Sequence, residues 1–448
     1  MIESKTPLSE TSGSPFRERG GFYAIVDCNS FYCSCERLFV PSLHNQPVVV
    51  LSNNDGCIVS RTDEAKALGI GMAGPYYENK EVIEKNKVTV FSSNYNLYGD
   101  LSMRVMDSLR SIVGDNNIEV YSVDEAFLNL RDVPMHELEQ ITLLLKERTE
   151  QWTGINVSVG VAPTKVLSKV ANRLAKKNKQ ATNCIMVLDT EEKIQEALQR
   201  TSVADVWGVG GRYAYKLKEF YNIQTALQLS KMNEEWARKN LGGVVGVRLI
   251  KELNGIPCIK MKDPLEIKKM IATTRMFGKP VYELADLKEA VATYTSRAAE
   301  KLRRQCSAAK FIDVFVVTND QKGKQYEYHP QSRHNYITLP IATSNTHTLI
   351  SYAVPLVEQL YIKGPKYLKA GVMLSGIVPD VSIQGNLFLP EINNNGKLLM
   401  DMIDNINFSQ RDDVLKFASS GTTRDWKMRQ ELRSKRYTTR WNELYEVK

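Results

Sequence analysis

Val120-Tyr121-Ser122-Val123-Asp124-Glu125-Ala126-Phe127-Leu128 is the stretch on which the fold turns, an alternating segment broken by two adjacent carboxylates. Well upstream, the apolar run Phe22-Tyr23-Ala24-Ile25-Val26 ends abruptly in Asp27. If these two strands pair in one sheet, three acidic groups share one neighbourhood. Like charges so placed resist joint ionisation and call for a counter-charge. A hard divalent cation with oxygen donors suits them: Mg2+ keeps waters and takes its remaining ligands from substrate phosphates. Two such ions about 3.5–4 Å apart clamp an in-line phosphoryl displacement. Taken singly, Asp-Glu also reads as a solvated hairpin turn and Asp27 as an ordinary strand-end residue, so the sequence around them decides.

The chain has 448 residues, enough for about three domains. Hydrophobic content of 43% and charged content of 25% are those of a soluble globular protein. No stretch approaches the ~18 consecutive apolar residues of a membrane span. Residues 1–20 are polar, which predicts a flexible leader and a cytoplasmic protein. Cysteines at 28, 33, 35, 57, 184, 258 and 306 show no CxxC spacing, which argues against zinc and against a disulfide framework. Cys28, Cys33 and Cys35 read as small, buried, reduced residues.

The net charge is +8, and its basic residues cluster. Val161 to Leu188 contains no acidic residue, while Lys165, Lys169, Arg173, Lys176, Lys177 and Lys179 fall within it. The first four follow helical steps of four, four and three, a basic stripe suited to a polyanion.

Strands are expected at 22–26 and 47–51 with a helix, Phe31 to Phe39, between them. A short polar, Gly-rich insert from Ser52 to about Phe91 carries a helix around Arg61 to Leu68, ended by Gly69. Alternation returns at 118–130, followed by a helix from about Met135 to Trp152, a strand over Ile155–Val161, the basic helix and a strand near Cys184–Leu188. From Thr190 to Pro257 only helices are expected. A second mixed region has a helix at 286–304 and strands at 311–317 and 368–374, and beyond Pro379 the chain reads as turn-rich, then basic. The sum is an α+β protein.

Asp27-Cys28-Asn29-Ser30-Phe31-Tyr32, Tyr121-Ser122-Val123-Asp124-Glu125-Ala126-Phe127 and Gly160-Val161-Ala162-Pro163-Thr164-Lys165 together resemble the Y-family translesion DNA polymerases. Leu51-Ser52-Asn53-Asn54-Asp55-Gly56-Cys57, Phe91-Ser92-Ser93-Asn94-Tyr95 and Arg436-Tyr437-Thr438-Thr439-Arg440 are similar to the UmuC branch of that family, and the likeness covers about 21–448. It implies a right-hand polymerase: palm at 21–51 and 94–189, small fingers at 52–93, a helical thumb at 190–258, a little finger at 265–380, and a clamp-binding motif and basic tail at 381–448. Fingers so small leave a loose pocket that accepts damaged templates. No segment of domain size remains for a proofreading exonuclease.

The resemblance implies that Asp27, Asp124 and Glu125, with the Cys28 carbonyl, hold two Mg2+ ions while a primer 3′-hydroxyl attacks a dNTP. Tyr32 matches the steric gate that excludes a ribose 2′-hydroxyl; its spacing alone favours core packing, and the motif match reverses that reading. Ser60, Lys66 and Lys165 match triphosphate contacts, although Asp63 and Lys66 stand where many relatives have Tyr and Arg, and Lys lacks bidentate geometry. Gly208, Gly210 and Gly211, within Val206-Trp207-Gly208-Val209-Gly210-Gly211-Arg212, resemble a helix-hairpin-helix turn that approaches DNA phosphates. Gln384-Gly385-Asn386-Leu387-Phe388 resembles a sliding-clamp pentapeptide with Leu387 and Phe388 as anchors and Gln384 as a polar tip. By the same resemblance the partners are primer-template DNA, the clamp, a processed UmuD dimer and the RecA filament, on the nucleoid during SOS mutagenesis.

Two other readings stay open at this point. A catalytically idle DNA-binding scaffold would lack the carboxylates, and a nucleotide cyclase on a similar palm would not need the thumb turn or the pentapeptide. From Arg424 to Arg440 seven basic residues face two acidic ones, and this tail reads equally as a solvated helix or as a contact for DNA or a partner.

Overall fold

The computed structural model describes residues 21–262, 267–319, 330–388, 395–410 and 413–446. The expected leader, 1–20, lies outside them. Four bodies follow one another: a five-stranded sheet, a three-stranded sheet inserted into it, an all-helical segment and a four-stranded sheet.

The five-stranded sheet is built on β1 (Tyr23–Cys28), whose apolar run is buried nearly throughout because strands flank it and helices cover it. β1 runs antiparallel to both β6 (Glu125–Asn129) and β7 (Val157–Ala162), with β5 (Ile118–Val120) and β8 (Ile185–Val187) at the edges. The pairing the sequence required is therefore present, and Asp27 lies opposite Glu125. β5 and β6 form a hairpin whose turn holds Asp124, so the segment is both a turn and a carboxylate site.

The basic helix, Lys165–Lys177, packs on β7 and β1. Its closeness requires Gly160: a Cβ there would lie 2.2 Å from the Asn172 nitrogen and 2.4 Å from the Ser168 carbonyl oxygen. Asn172 Nδ2 donates to Ser158 O at 3.2 Å across the same contact. Thr164 caps the helix by accepting from Leu167 N at 3.2 Å.

Val48–Leu51, β2, leaves the first sheet and pairs instead with β3 (Ile58–Arg61) and, in parallel, with β4 (Thr89–Ser92). All four of its residues are buried, Val48 and Val50 in the large core and Val49 and Leu51 in the small one. One helix appears as expected, Asp63–Ala67, and Gly69 follows it at φ +81°. A second helix, Tyr76–Lys85, was not anticipated because Ile83 is its one buried residue, which leaves no apolar stripe.

Helices alone occupy Glu191 to Leu253. The last sheet, order β11-β10-β12-β9, is antiparallel and packs on helices Leu284–Arg304 and Thr346–Leu360. Its strands β9 (Met270–Val281), β10 (Ser307–Asn319), β11 (Pro330–Thr343) and β12 (Lys366–Pro379) are longer than the two segments the sequence suggested.

Beyond Pro379 the chain holds a helix, Asn395–Ser409, and then an extended strap. Trp426 is buried edge-on to Phe277 and Tyr294 in the four-stranded domain. Gly278 N donates to Trp426 O at 3.0 Å. The strap then crosses to the three-stranded sheet, where Arg429 N donates to Asn54 Oδ1 (2.8 Å) and Leu432 N to Ser92 Oγ (2.9 Å). It ends on the first helix, with Tyr437 stacked between Phe39 and Tyr445.

Gly160→Ala should push the basic helix off the sheet, because the atoms it meets are backbone. The expected cost is about 1–3 kcal/mol, read as a lowered thermal unfolding midpoint; an unchanged midpoint would show that the helix can retreat freely.

Candidate active site

Asp27 ends the central strand, and the hairpin turn beside it is held by its own backbone. Tyr121 N and Ser122 N both donate to Glu125 O, and Cys28 N donates to Asp124 O at 2.8 Å. Ser122 Oγ donates to Asp124 Oδ1 at 2.6 Å. The three carboxylates feel one another: burial first, then Glu125 and Asp124, raise the Asp27 carboxyl to about 6 against the opposing pull of Lys176.

Each carboxylate is turned to its own partner. Lys176 pairs with Asp27, and Lys169 pairs with Glu125 at 2.7 Å. The Lys169 ammonium also sits 4.6 Å from the Tyr121 ring centroid and 5.5 Å from that of Trp207. Among the described residues no three metal-ligating side chains converge on one point. The donors are nonetheless all oxygen, two on adjacent strands and one in the hairpin turn beside them, and in need of positive charge, which is the chemistry of a hard divalent cation.

Lys165 is not part of this group. It is 1% exposed, pairs with the buried Glu119, and donates to Lys260 O at 3.0 Å. The periodicity that put it on one face with Lys169 and Lys176 does not say which turn of the helix meets the carboxylates. Lys165 lies in the first turn, over the Phe127 ring, and serves the core; Lys176, three turns on, reaches Asp27. Arg173 and Lys177 pair with Asp205, so the stripe is neutralised largely within the chain.

Tyr32 is half-buried on the helix Phe31–Phe39, stacked on Tyr98 at 4.5 Å and edge-on to Tyr95 at 5.9 Å. Burial, then Tyr95 and Asp124, push its hydroxyl up to about 12. Ser60 is buried and accepts from Cys33 N. Lys66 Nζ contacts Asp63 (2.7 Å) and Ser30 Oγ (3.4 Å), which brings it beside the Asp27 to Tyr32 segment. Burial raises the Asp63 carboxyl, but Lys179 and Lys66 outweigh it and hold it at about 2. Tyr95, Tyr98, Lys169, Lys176 and Lys179 were not singled out for this site from the sequence; only the charge pattern pointed to the lysines.

Gly208, at φ +99°, lies in the turn before the helix Gly211–Tyr221, Gly210 is that helix's N-cap and Gly211 its first residue, and a Cβ at either of the latter two would meet nothing within 4 Å. Trp207 ties this turn to the carboxylate hairpin, its Nε1 donating to the Tyr121 hydroxyl at 3.3 Å. Gln384, Leu387 and Phe388 are far from these groups in sequence and exposed, Leu387 at 93% and Phe388 at 91%. All seven cysteines are free thiols.

Comparison with known proteins matches this arrangement to a family. The impB/mucB/samB family model matches residues 26–173, the model of that family's C-terminal domain matches 268–387, and a domain of unknown function matches 397–447. Protein UmuC of Salmonella typhimurium is 38% identical over 95% of this chain and 100% of its own length. Protein ImpB of the same organism is 38% identical over 94% of this chain and 98% of its own. Among solved structures, a Y-family DNA polymerase chimera of Dbh and Dpo4 superposes with a TM-score of 0.63 at 19% identity, covering 80% of this chain and 99% of the chimera. On these matches the chain belongs to the impB/mucB/samB family of UmuC-like Y-family DNA polymerases.

Proposed function

We infer that this chain is an error-prone translesion DNA polymerase acting in damage-induced mutagenesis, with the pairing of Asp27 opposite Glu125 as the observation that carries its chemistry. DNA and a deoxynucleoside triphosphate are its substrates, and a divalent metal its cofactor. In this reading the five-stranded sheet is the palm, the three-stranded sheet the fingers, the helical segment the thumb and the four-stranded sheet the little finger.

Asp27, Asp124 and Glu125, with the Cys28 carbonyl, would hold two Mg2+ ions. The chemistry supplied there is activation of the primer 3′-hydroxyl and neutralisation of the departing pyrophosphate. Once Asp27 and Glu125 turn from their lysines, Lys176 and Lys169 remain as donors beside the place where a triphosphate needs neutralising. Lys66 and Ser60 border the same place, and Lys165 keeps its role in the core. Tyr32, fixed between Tyr95 and Tyr98, fills the space of a ribose 2′-hydroxyl. Gly208, Gly210 and Gly211 offer backbone N–H groups to a DNA phosphate. The exposed Leu387 and Phe388, with Gln384, support docking on a sliding clamp. The processed UmuD dimer, the RecA filament and action on the bacterial nucleoid rest on the family resemblance. No helix among the described residues is long and apolar enough to cross a membrane.

Primer extension across an abasic template site is the decisive assay. Asp124→Ala should lower it at least ~1,000-fold, about 4 kcal/mol of lost transition-state stabilisation, with primer-template binding retained; equal rates would return the chain to the scaffold reading. The two lysines separate by kinetics and stability. Lys176→Ala should raise the KM for dNTP about tenfold or more, while Lys165→Met, which strands Glu119, should cost about 3–5 kcal/mol of stability; the reverse pattern would reinstate Lys165 at the triphosphate.

Asp27 gives a pH signature in divalent-free buffer. Its folded pKa, about 6, lies above the ordinary 3.8, so the folded state holds the proton more tightly. Its contribution to stability is present at low pH and lost as pH rises from about 4 through 6. Asp27→Asn should therefore gain on the wild type across that window, by ~1–3 kcal/mol in all, and run parallel to it above. Denaturant melts at several pH values would show it, and a constant difference would contradict the raised carboxyl.

A further inference from the structure

The strap does more than join domains: with the four-stranded domain it walls a cleft. A cavity of about 890 Å³ lies between the helix Tyr95–Val113, the helix Leu284–Arg304 with β9, and residues 424–440. Nine lysine and arginine side chains line it against three carboxylates, Asp100, Glu300 and Asp413. More than half of those cations come from the segment that matches a domain of unknown function.

Several of them are already neutralised. Arg297 pairs with Glu300 and Asp413, and Arg436 is held by Glu443. Others are not: Arg275 donates to Thr274 O and Lys301 to Thr273 Oγ1, both neutral oxygens. Lys427 and Arg433 are exposed; Arg433 acts on Glu443 only at a distance, helping to lower that carboxyl, while Arg436 holds Glu443 directly at 2.8 Å. Burial, then repulsion from Arg275 and Lys268, pulls the Lys301 ammonium below its usual pKa and outweighs the opposing pull of Glu300.

The wall also carries rings. Tyr95 and Phe408 are exposed in it, and the buried indole N–H of Trp426 has no acceptor among the described residues. Tyr95 is the ring that lies edge-on to Tyr32, so the cleft shares a wall with the nucleotide site. Cations interleaved with exposed aromatic rings suit unpaired bases on a phosphodiester backbone. A cavity of this size admits a few nucleotides and excludes a double helix.

We propose that this cleft holds the single-stranded template that has yet to be copied, its phosphates on Arg275, Lys301, Lys427 and Arg433 and its bases against Tyr95 and Phe408. The assignment rests on the polymerase reading above and gives the strap a ligand as well as a structural role.

The test is fluorescence anisotropy with the full chain and three probes: a blunt primer-template duplex, the same duplex with a short 5′ template overhang, and the overhang sequence as a free strand. The wild type should bind the overhang duplex at least about tenfold more tightly than the blunt one. The variant R275A/K301A/R433A should erase that gain and flatten its salt dependence by about two units of slope, while binding the blunt duplex as before. Loss of affinity for both duplexes alike, or for neither, overturns the proposal. So does a cleft that takes the free strand without any gain from the overhang, or one blocked by polyglutamate but indifferent to the overhang, which would make it a protein-docking surface. Should the triple variant misfold, 5-iodouracil placed just ahead of the primer end in the wild-type complex gives an independent reading. Photoadducts on peptides containing Tyr95 or Phe408 support the assignment, and adducts confined elsewhere overturn it. Nucleotide addition on a one-base overhang tests the polymerase reading separately, since binding and cross-linking need no catalysis.

Discussion

Carboxylates at the end of a buried strand need positive charge within a few ångströms, and this chain meets that need from a single helix. Losing the partner of a buried charge costs several kcal/mol, so the helix Lys165–Lys177 must sit in one register on β7 and β1. Gly160 lets it approach, Thr164 starts it, and two buried glutamates hold its first turn: Glu119 through Lys165, and Glu252 through Val166 N at 3.2 Å. With that end fixed, Lys169 and Lys176 arrive at Glu125 and Asp27. The same glutamates accept backbone N–H groups of Cys258, Ile259 and Lys262, so the chain leaving the helical segment is anchored by the groups that position the site.

The parts legible in the sequence are those whose signal is local. The run Phe22 to Val26 announced a buried strand, and Asp27 facing Glu125 followed from two such strands pairing. The basic helix was legible from its spacing, but periodicity gives a face and not a position along the axis. That is why Lys165 looked equivalent to Lys176 until the buried Glu119 was seen to claim it. Val48–Leu51 read correctly as a strand, yet nothing local tells a strand which sheet to join, and its alternate residues serve two cores. The strap carried no periodic signal, because its contacts are backbone and polar side chain, made one residue at a time.

Those contacts make the basic tail a structural element of the enzyme. Its apolar anchors lie at the two ends, Trp426 in one core and Tyr437 against Phe39 in another. Between them Asn54 is a junction: its Nδ2 donates to Met276 O and Phe277 O on β9 while its Oδ1 accepts from Arg429 N. The small three-stranded sheet is thereby tied to the four-stranded domain directly and through the strap. The inserted sheet gains in this way a fixed outer wall.

The seam beneath the strap is polar, and the order in which a ribosome makes the chain gives that a meaning. Ser92 waits for a partner 340 residues downstream. Ser92, Ser93 and Asn94 are all buried once the strap is in place, where Gln430 donates to Ser93 O and Asn94 to Ser434 O. Domains fold as they emerge, so the inserted sheet is complete long before its cover exists. A hydrophobic seam left open for that interval would invite association with other nascent chains; serines and an asparagine are satisfied by water in the meantime. The polar seam thus lets the nascent enzyme stay unlatched without becoming adhesive.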